Sequence, residues 1–256
     1  MVNLPDNFIK FLGTAGARFV MIKQVRHSGG IWIRSNGTNV LIDPGPGSLV
    51  RCATSRPRLD PAQLDAIILT HRHLDHTGDI NVMIEAMTEG GFKRRGTVFC
   101  PRDALTPDPV ILKYLRSFPS EIRVMEPRKK YTCGSFTFET SPRHKHPVET
   151  YGLKFRVGGT QVGYMVDTGY CDKLFPFYKV PVLMVGVVLV EPRPSVFHLS
   201  VPEVRTIIGK IKPGETILTH FGMRMVKARP QVIAEQLSKE LKRKVTAAYD
   251  GMLIEF

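Results

Sequence analysis

Four side chains of the kinds that bind metal ions fall within six residues, at His71, His73, Asp75 and His76. They follow residues 66–70 (Ala-Ile-Ile-Leu-Thr), a short apolar run that is typical of a buried strand. Imidazole and carboxylate groups together suit zinc, manganese or iron. In an extended loop the side chains of His71 and His73 point the same way, so we expect them to share one ion. Asp75 and His76 lie just beyond and are expected to reach a second ion.

Two other apolar runs end in a residue of the same kind. Residues 161–166 are followed by Asp167, and residues 216–219 are followed by His220. Strand ends present side chains into a crevice, where α/β folds usually place their sites. A lone histidine is more often structural than a ligand, but three strands that each end in a ligand-type residue indicate one shared site.

Alternating apolar residues and turn signals predict the strands that position these residues. Asn36-Gly37 between two alternating runs is the strongest short hairpin signal. The predicted strands comprise residues 8–12, 30–34, 38–43, 66–70, 98–100, 136–140, 153–157, 161–166, 182–190, 216–219 and 252–256.

Four helices are predicted between or after the strands. They run from about residue 78 to 88, over 108–118 with Pro109 in the first turn, from the capping box Ser200-Val-Pro-Glu to about 211, and from Pro230 to about 242. Strands come first, and helices and strands then alternate without a clear linker. We therefore predict one α/β domain over residues 1–256, with helices covering its sheets.

Bulk composition restricts the class of protein. A chain of 256 residues with 43% hydrophobic residues can bury a full core, which argues against intrinsic disorder. The longest apolar run, residues 182–190, is about half as long as a membrane-spanning helix, so no membrane association is expected. The first residues lack the basic and apolar regions of a signal peptide, so we expect a cytoplasmic location.

Charge and cysteine content narrow the chemistry further. The net charge of +13 favours an anionic partner such as a phosphate ester or a nucleic acid. The four cysteines are far apart and form no C-x-x-C pair; they are Cys52, Cys100, Cys133 and Cys171. This spacing argues against a zinc site made of cysteines or a disulfide framework and predicts reduced thiols.

The segment 70–78 (Thr-His-Arg-His-Leu-Asp-His-Thr-Gly) resembles the signature motif of the metallo-β-lactamase superfamily. Residues 41–45 (Leu-Ile-Asp-Pro-Gly) resemble the first motif of that family, whose aspartate, here Asp43, supports the site from behind the ligands. By resemblance the third, fourth and fifth motifs correspond to His146, Asp167 and His220. The resemblance covers nearly the whole chain and implies an αββα sandwich of two mixed β-sheets flanked by helices.

The third motif has two candidates, His144 and His146. In the phosphodiesterase branch of the family this histidine precedes a glycine–aromatic or glycine–aliphatic pair by about six positions, and His146 stands six before Gly152-Leu153. The resemblance then implies two divalent metal ions, with zinc as the default and manganese or iron as alternatives. It assigns one ion to His71, His73 and His146, the other to Asp75, His76 and His220, and Asp167 to both.

Three short segments are similar to the transfer-RNA 3′-processing nucleases and their small phosphodiesterase relatives: residues 11–16 (Phe-Leu-Gly-Thr-Ala-Gly), 198–200 (His-Leu-Ser) and 219–222 (Thr-His-Phe-Gly). Those nucleases carry an extended RNA-binding arm between the third and fourth motifs. Here His146 and Asp167 are only 21 positions apart, and a predicted strand pair fills the interval. This spacing instead resembles the small cyclic-phosphate phosphodiesterases.

We therefore expect a metal-dependent phosphodiesterase that cleaves a small or cyclic phosphodiester, with water activated by two cations. By resemblance, Asp75 is expected to orient the nucleophile and His198 to protonate the leaving group. Three arginines lie near the motifs in sequence and are candidate phosphate-binding residues: Arg26, Arg72 and Arg224.

Two other reactions remain open. An RNA 3′-end nuclease agrees with the basic charge but not with the missing arm, and RNA is then an alternative partner to a small anionic phosphodiester. A carboxyl-type hydrolase of thioesters or lactones would use the same ligand set. A non-catalytic binding protein is disfavoured because all seven ligand positions are filled. The resemblance also implies a homodimer.

Overall fold

The computed structural model describes residues 4–28 and 30–256. The strands in this part of the chain are β1 Phe8–Phe11, β2 Ile31–Ser35, β3 Thr38–Ile42, β4 Ala66–Ile68, β5 Thr97–Cys100, β6 Glu121–Val124, β7 Lys130–Cys133, β8 Phe136–Thr140, β9 Leu153–Val157, β10 Thr160–Met165, β11 Val182–Gly186, β12 Glu215–Thr219, β13 Lys244–Ala247 and β14 Leu253–Glu255. The α-helices are α1 Ala17–Lys23, α2 Ser48–Thr54, α3 Leu74–Thr77, α4 Ile80–Met87, α5 Val201–Ile211, α6 Met223–Lys227 and α7 Pro230–Leu241. Short 3₁₀ helices cover Pro61–Gln63, Arg102–Ala104, Lys113–Ser117 and Asp172–Leu174.

The strands form two mixed seven-stranded sheets within the described ranges. The first has the order β14-β1-β2-β3-β4-β5-β6, antiparallel as far as β3 and parallel from β3 to β6. The second has the order β13-β12-β11-β10-β9-β8-β7, parallel from β10 to β13 and antiparallel from β7 to β10. Each parallel half aligns the carboxyl ends of its strands, and His71, Asp167 and His220 follow three of these ends, those of β4, β10 and β12.

The main core lies between the two sheets. Apolar residues from the inner faces of both sheets form one buried cluster. Phe99 of the first sheet meets Phe138 of the second edge to face, with ring centroids 5.0 Å apart. Such pairs stabilise a core beyond the area they bury, so they fix the distance between the sheets on which the site depends.

Helices cover the outer face of each sheet. On the first sheet α4 buries Ile80, Met83, Ile84 and Met87, the spacing of an amphipathic helix. On the second sheet the buried residues of α5 and α7 pack into one cluster with those of β11 and β12. The predicted αββα sandwich is confirmed.

Two local predictions are confirmed in detail. Asn36 and Gly37 both have positive φ, 47° and 81°, which the two-residue turn of the β2–β3 hairpin requires. Ser200 and Glu203 form the capping box of α5, and the Ser200 main-chain N–H donates to Glu203 Oε2 over 2.8 Å. The sequence could predict the turn and the capping box because the residues that interact in each of them are close along the chain.

The predicted α-helix over residues 108–118 is wrong. The structure has bends followed by a single 3₁₀ turn, Lys113–Ser117. The side-chain amide of Asn81, on α4, donates to the carbonyl of Val110 over 2.9 Å and accepts from the N–H of Leu112 over 3.0 Å. Asn81 thus satisfies main-chain groups that an α-helix would have paired internally.

The prediction also omitted α1, α2, α3, α6, β6, β7 and β13, each at most seven residues long. Short amphipathic segments carry too few periodic positions to be recognised. The predicted strand pair between His146 and Asp167 is present as the antiparallel β9 and β10. Among the helices that the structure describes, none has the length and apolar character needed to cross a membrane.

Replacing the capping serine tests how α5 is anchored. Ser200→Ala should lower the free energy of unfolding by about 1 kcal/mol, because the first turn loses its side-chain partner. Urea denaturation of the variant and the parent measures the difference. Ser195→Ala, at an exposed serine, is the matched control and should stay within about 0.5 kcal/mol of the parent. Equal unfolding midpoints for Ser200→Ala and the parent would contradict the role of the cap.

Candidate metal centre

The Asp43 carboxylate connects the ends of two parallel strands. Asp43 follows β3 and Thr70 follows β4. Oδ1 of Asp43 accepts from the Thr70 main-chain N–H and Oδ2 from the Thr70 hydroxyl, both over 2.7 Å. The carboxylate is buried, with Asp43 only 5% exposed. The aspartate therefore fixes the strand end from which His71 projects.

The same carboxylate sets the ring orientation of two histidines. His76 Nδ1 lies 2.9 Å from Asp43 Oδ2, and a carboxylate only accepts, so Nδ1 carries the proton. His71 Nδ1 lies 3.1 Å from the Thr70 hydroxyl, whose own proton is directed to Asp43. In both rings Nδ1 is thus the donor and Nε2 faces the ligand groups, the usual arrangement behind a metal-ligating histidine.

The first group of ligand atoms brings together His71, His73, His146 and Asp167, all within 4.8 Å of one another. His73 Nδ1 and His146 Nε2 are 3.1 Å apart. His146 Nδ1 donates to the main-chain carbonyl of Phe197 over 3.1 Å, which leaves Nε2 directed at the group. His71 Nε2 lies 3.6 Å from Asp167 Oδ2.

The second group combines Asp75, His76 and His220. The Nε2 atoms of His76 and His220 are 3.0 Å apart, and His220 Nε2 lies 3.3 Å from Asp75 Oδ2. The other ring nitrogen of His220 is 3.1 Å from Asp167 Oδ1. Since Asp167 Oδ2 faces His71 of the first group, the Asp167 carboxylate lies between the two groups.

His220 adopts a positive φ of 57°, and a glycine makes room for it. A Cβ added to Gly16 would lie 2.3 Å from the His220 carbonyl oxygen and 2.5 Å from its Nδ1. Gly16 therefore lets the loop after β1 close against the strand end that carries the ligand.

His198 lies on the Asp167 side of the cluster. Its Nδ1 is 3.5 Å from Asp167 Oδ2, and 17% of its side chain is exposed. It forms a third possible ligand group with Asp167 and His220. The ring is thus placed at the rim of the centre, within reach of both the ligands and solvent.

The donor set fits a metal cation. Several buried atoms have no hydrogen-bond partner among the described residues: His71 Nε2, both Asp167 carboxylate oxygens, His198 Nδ1 and His220 Nδ1. Leaving such a group unpaired costs about 1–3 kcal/mol, and more when it is charged. A cation between the paired imidazole nitrogens and the carboxylates would satisfy these atoms together.

Electrostatics favour the forms that bind metal. Burial lowers the pKa of His71 well below its usual value and that of His146 to about 4, so both rings are neutral ligands near pH 7. Burial works to raise the pKa of Asp167, but His220 and the other nearby histidines outweigh it, and the pKa lies well below normal. His76 is the exception: burial opposes its charge, yet the carboxylates of Asp75 and Asp43 raise its pKa well above normal. A metal ion binding at His76 would therefore displace a proton from the ring.

All seven predicted ligands lie together in this cluster, and Asp43 lies directly behind them. Their division between two individual ions stays a prediction. His144, the alternative third-motif histidine, is outside the ligand groups because its two ring nitrogens face the Asp167 carbonyl oxygen and the Tyr178 hydroxyl.

The three predicted phosphate-binding arginines are placed differently from one another. Arg26 donates to the Thr14 hydroxyl over 2.8 Å and lies over the Phe221 ring. Arg72 donates to the carbonyl of Asp108 over 3.0 Å. Arg224 is exposed on α6. The substrate-binding role of all three stays a prediction, and the first two also hold neighbouring segments in place.

Sequence reasoning did not identify Thr70 and Lys145. The Thr70 hydroxyl links the Asp43 carboxylate to the His71 ring through hydrogen bonds. In the sequence, its position between an apolar run and the first histidine was the signal that could have identified it. Lys145 is an exposed cation between His144 and His146. Its side chain lies beside Gly169, where a Cβ would be 3.4 Å from Lys145 Cδ and 3.5 Å from the Phe197 ring. It therefore lies at the rim of the centre.

The sequence matches the family model described as "Beta-lactamase superfamily domain" over residues 38–221. The chain belongs to this superfamily. The matched region contains Asp43 and all seven candidate ligands, and the predicted family is confirmed.

Several individual proteins are similar over most of the chain. An uncharacterized protein of Methanocaldococcus jannaschii, MJ1374, is 29% identical over 257 residues, covering 96% of this chain and 94% of that protein. The crystal structure of YhfI from Bacillus subtilis superposes with a TM-score of 0.78 at 22% identity, covering 98% of this chain and 99% of that one. A diphosphatase of the PhnP family superposes with a TM-score of 0.71 at 20% identity, covering 98% and 97%. These two structures share the fold.

Removing the carboxylate behind the ligands should weaken metal binding. Asp43→Ala removes the acceptor for the His76 Nδ1 proton and for the Thr70 hydroxyl. We therefore expect about 10–100-fold lower affinity for Zn²⁺. Competition with a chromophoric chelator measures the affinity. Asp60→Ala, at an exposed aspartate, is the matched control and should bind like the parent. Unchanged affinity in Asp43→Ala would refute the orienting role.

Proposed function

We propose that this superfamily member is a metal-dependent phosphodiesterase that cleaves a small or cyclic phosphodiester. The observation that carries the proposal is the buried cluster of seven ligands, in which Asp167 lies between two groups of donor atoms. A net charge of +13 favours an anionic substrate over a neutral one.

The residues divide the chemistry among them. His71, His73 and His146 would hold one cation and Asp75, His76 and His220 the other, with Asp167 shared. Two bound cations supply a lowered pKa for a water molecule and charge compensation for the phosphoryl oxygens. The Asp75 carboxylate accepts from the Ala17 main-chain N–H over 3.1 Å, which holds it in position to accept a hydrogen bond from the attacking water.

His198 supplies the proton in the proposed reaction. The water oxygen forms a bond to phosphorus, the bond from phosphorus to the leaving oxygen breaks, and His198 donates its proton to that oxygen. The proton lost by the water restores the ring. Burial lowers the pKa of His198, which makes its protonated ring a stronger acid.

The size of the substrate follows from the segment between His146 and Asp167. A tight β9–β10 hairpin fills this interval, so no protruding arm is present there to grip a folded RNA. The exposed Lys145 offers a cation for a phosphate at the rim. The similarity to a PhnP-family diphosphatase supports chemistry at phosphorus.

An RNA 3′-end nuclease is the second candidate, because the positive charge would also favour a polyanion. A carboxyl-type hydrolase that acts on thioesters or lactones would use the same ligands.

The reaction is tested by incubating the metal-loaded protein with 3′,5′-cyclic AMP, a short RNA with a 3′ extension, and a thioester, each followed by chromatography. We expect turnover of the cyclic nucleotide, lost after chelation and in Asp75→Ala but kept in Asp60→Ala. Turnover of RNA alone would replace the proposal with the nuclease, and turnover of the thioester alone with the carboxyl hydrolase. No turnover of any substrate by protein with bound metal would refute all three.

The role of His198 is tested by varying the leaving group. His198→Gln should lower kcat by about 10²–10⁴-fold for a phosphodiester whose leaving group is methoxide, because this alkoxide needs a proton to leave. The loss should be much smaller for a p-nitrophenyl ester, whose phenolate leaves without one. Equal losses for the two leaving groups, with metal content unchanged, would assign His198 a structural role instead.

A further inference from the structure

His144 is a buried histidine that the proposed reaction does not use. It lies two residues before the ligand His146 and is 3% exposed. Its Nδ1 is 3.1 Å from the main-chain oxygen of Asp167, and its Nε2 is 2.8 Å from the Tyr178 hydroxyl. Both ring nitrogens are therefore engaged away from the ligand groups.

The hydrogen-bond partners determine the direction of each bond. A main-chain carbonyl only accepts, so Nδ1 of His144 carries the proton and donates it to Asp167. In a neutral ring Nε2 is then the acceptor, and the Tyr178 hydroxyl donates to it over 2.8 Å in preference to the Tyr164 carbonyl oxygen at 3.3 Å. A Cβ on Gly152 would lie 1.7 Å from the Tyr178 hydroxyl and 2.9 Å from His144 Nε2, so this contact requires a glycine at position 152.

Two further hydrogen bonds join the same pair of segments. The Lys145 main-chain N–H donates to the Thr168 hydroxyl over 3.2 Å, and the Gly169 N–H donates to the Lys145 carbonyl over 2.8 Å. Three hydrogen bonds thus connect residues 144–146 with residues 167–169. The bond from the His144 ring is the one that reaches Asp167. One segment carries His146 and the other carries Asp167.

The orientation of the Asp167 carboxylate depends on its main chain. Neither carboxylate oxygen has a hydrogen-bond partner among the described residues, and its nearest polar contact is His220 Nδ1, 3.1 Å from Oδ1. The peptide units on either side of the Asp167 Cα set the direction of its Cα–Cβ bond, from which the carboxylate reaches the two ligand groups. The bond from His144 acts on one of these units directly.

We propose that His144 is a positioning residue that preorganises the shared ligand Asp167, with the Tyr178 hydroxyl fixing its ring. His144 holds the peptide carbonyl of Asp167 so that one carboxylate oxygen faces each ligand group. The inference rests on the metal centre of the proposed function but not on its substrate. Its consequence is a higher metal affinity, since the carboxylate needs no reorganisation on binding.

Three substitutions separate positioning from packing. His144→Phe keeps a ring but no donor, and should lower the affinity for Zn²⁺ about 10–100-fold. His144→Asn keeps an amide N–H near the position of Nδ1 and should recover most of the affinity. His144→Gln places its amide near Nε2, out of reach of the Asp167 carbonyl, and should resemble His144→Phe. Chelator competition gives the affinities, and the visible absorption spectrum of the Co²⁺-loaded protein reports ligand geometry.

The controls distinguish the possible failures. Thermal unfolding of each metal-free variant shows whether it folds, and Tyr178→Phe, which removes only the hydroxyl, should lose less affinity than His144→Phe. Wild-type affinity and an unchanged Co²⁺ spectrum in a folded His144→Phe would overturn the proposal, as would equal losses in the Asn and Phe variants. Failure of the unsubstituted protein to bind Zn²⁺ or Co²⁺ would instead refute the metal centre of the proposed function and this inference with it.

Discussion

The buried carboxylate of Asp43 is the interaction on which the rest of the site depends. It accepts two hydrogen bonds from Thr70 and one from His76, and through the Thr70 hydroxyl it also orients His71. One side chain thus fixes a histidine in each ligand group. It can do so only because β3 and β4 are parallel neighbours, which brings their carboxyl ends side by side.

The cluster in front of Asp43 is costly to bury. Imidazoles with lowered pKa values lie against the Asp167 carboxylate, which has no hydrogen-bond partner in the described part of the chain. Two pairs of ring nitrogens approach to 3.0 Å and 3.1 Å. A cation is the one addition that relieves the unpaired lone pairs and the negative charge together. The two sheets and their aromatic core provide the rigidity that keeps these groups in place without it.

Three of the candidate ligands share a mode of support. They are held from behind by atoms outside the ligand groups: Asp43 for His76, the Phe197 carbonyl for His146, and the Ala17 amide for Asp75. His144 would extend this pattern to Asp167, where the contact is with the main chain. Because the supporting groups come from different segments, the ligand geometry depends on the packing of both sheets. This is how one fold can hold a fixed metal site while its rim residues vary with the substrate.

The sequence alone determined the features whose partners are close along the chain. The motif at residues 70–78, the Asn36-Gly37 hairpin and the Ser200 capping box depend on neighbouring residues, so pattern and spacing were enough. The same holds for the strand ends at Asp167 and His220, because a buried strand is recognisable from a short apolar run. The αββα architecture followed from the family resemblance that these motifs carry.

The tertiary structure decided everything that depends on distant partners. Residues 108–118 do not form an α-helix because Asn81 binds their main-chain groups from another element. His146 and not His144 joins the ligand groups because Tyr178 and the Asp167 carbonyl occupy the ring nitrogens of His144. Arg26 and Arg72 donate hydrogen bonds to other segments, and the positions of the arginines in the sequence could not predict these partners. Hydrogen bonds and burial act through space, and only the folded chain defines which distant atoms become neighbours.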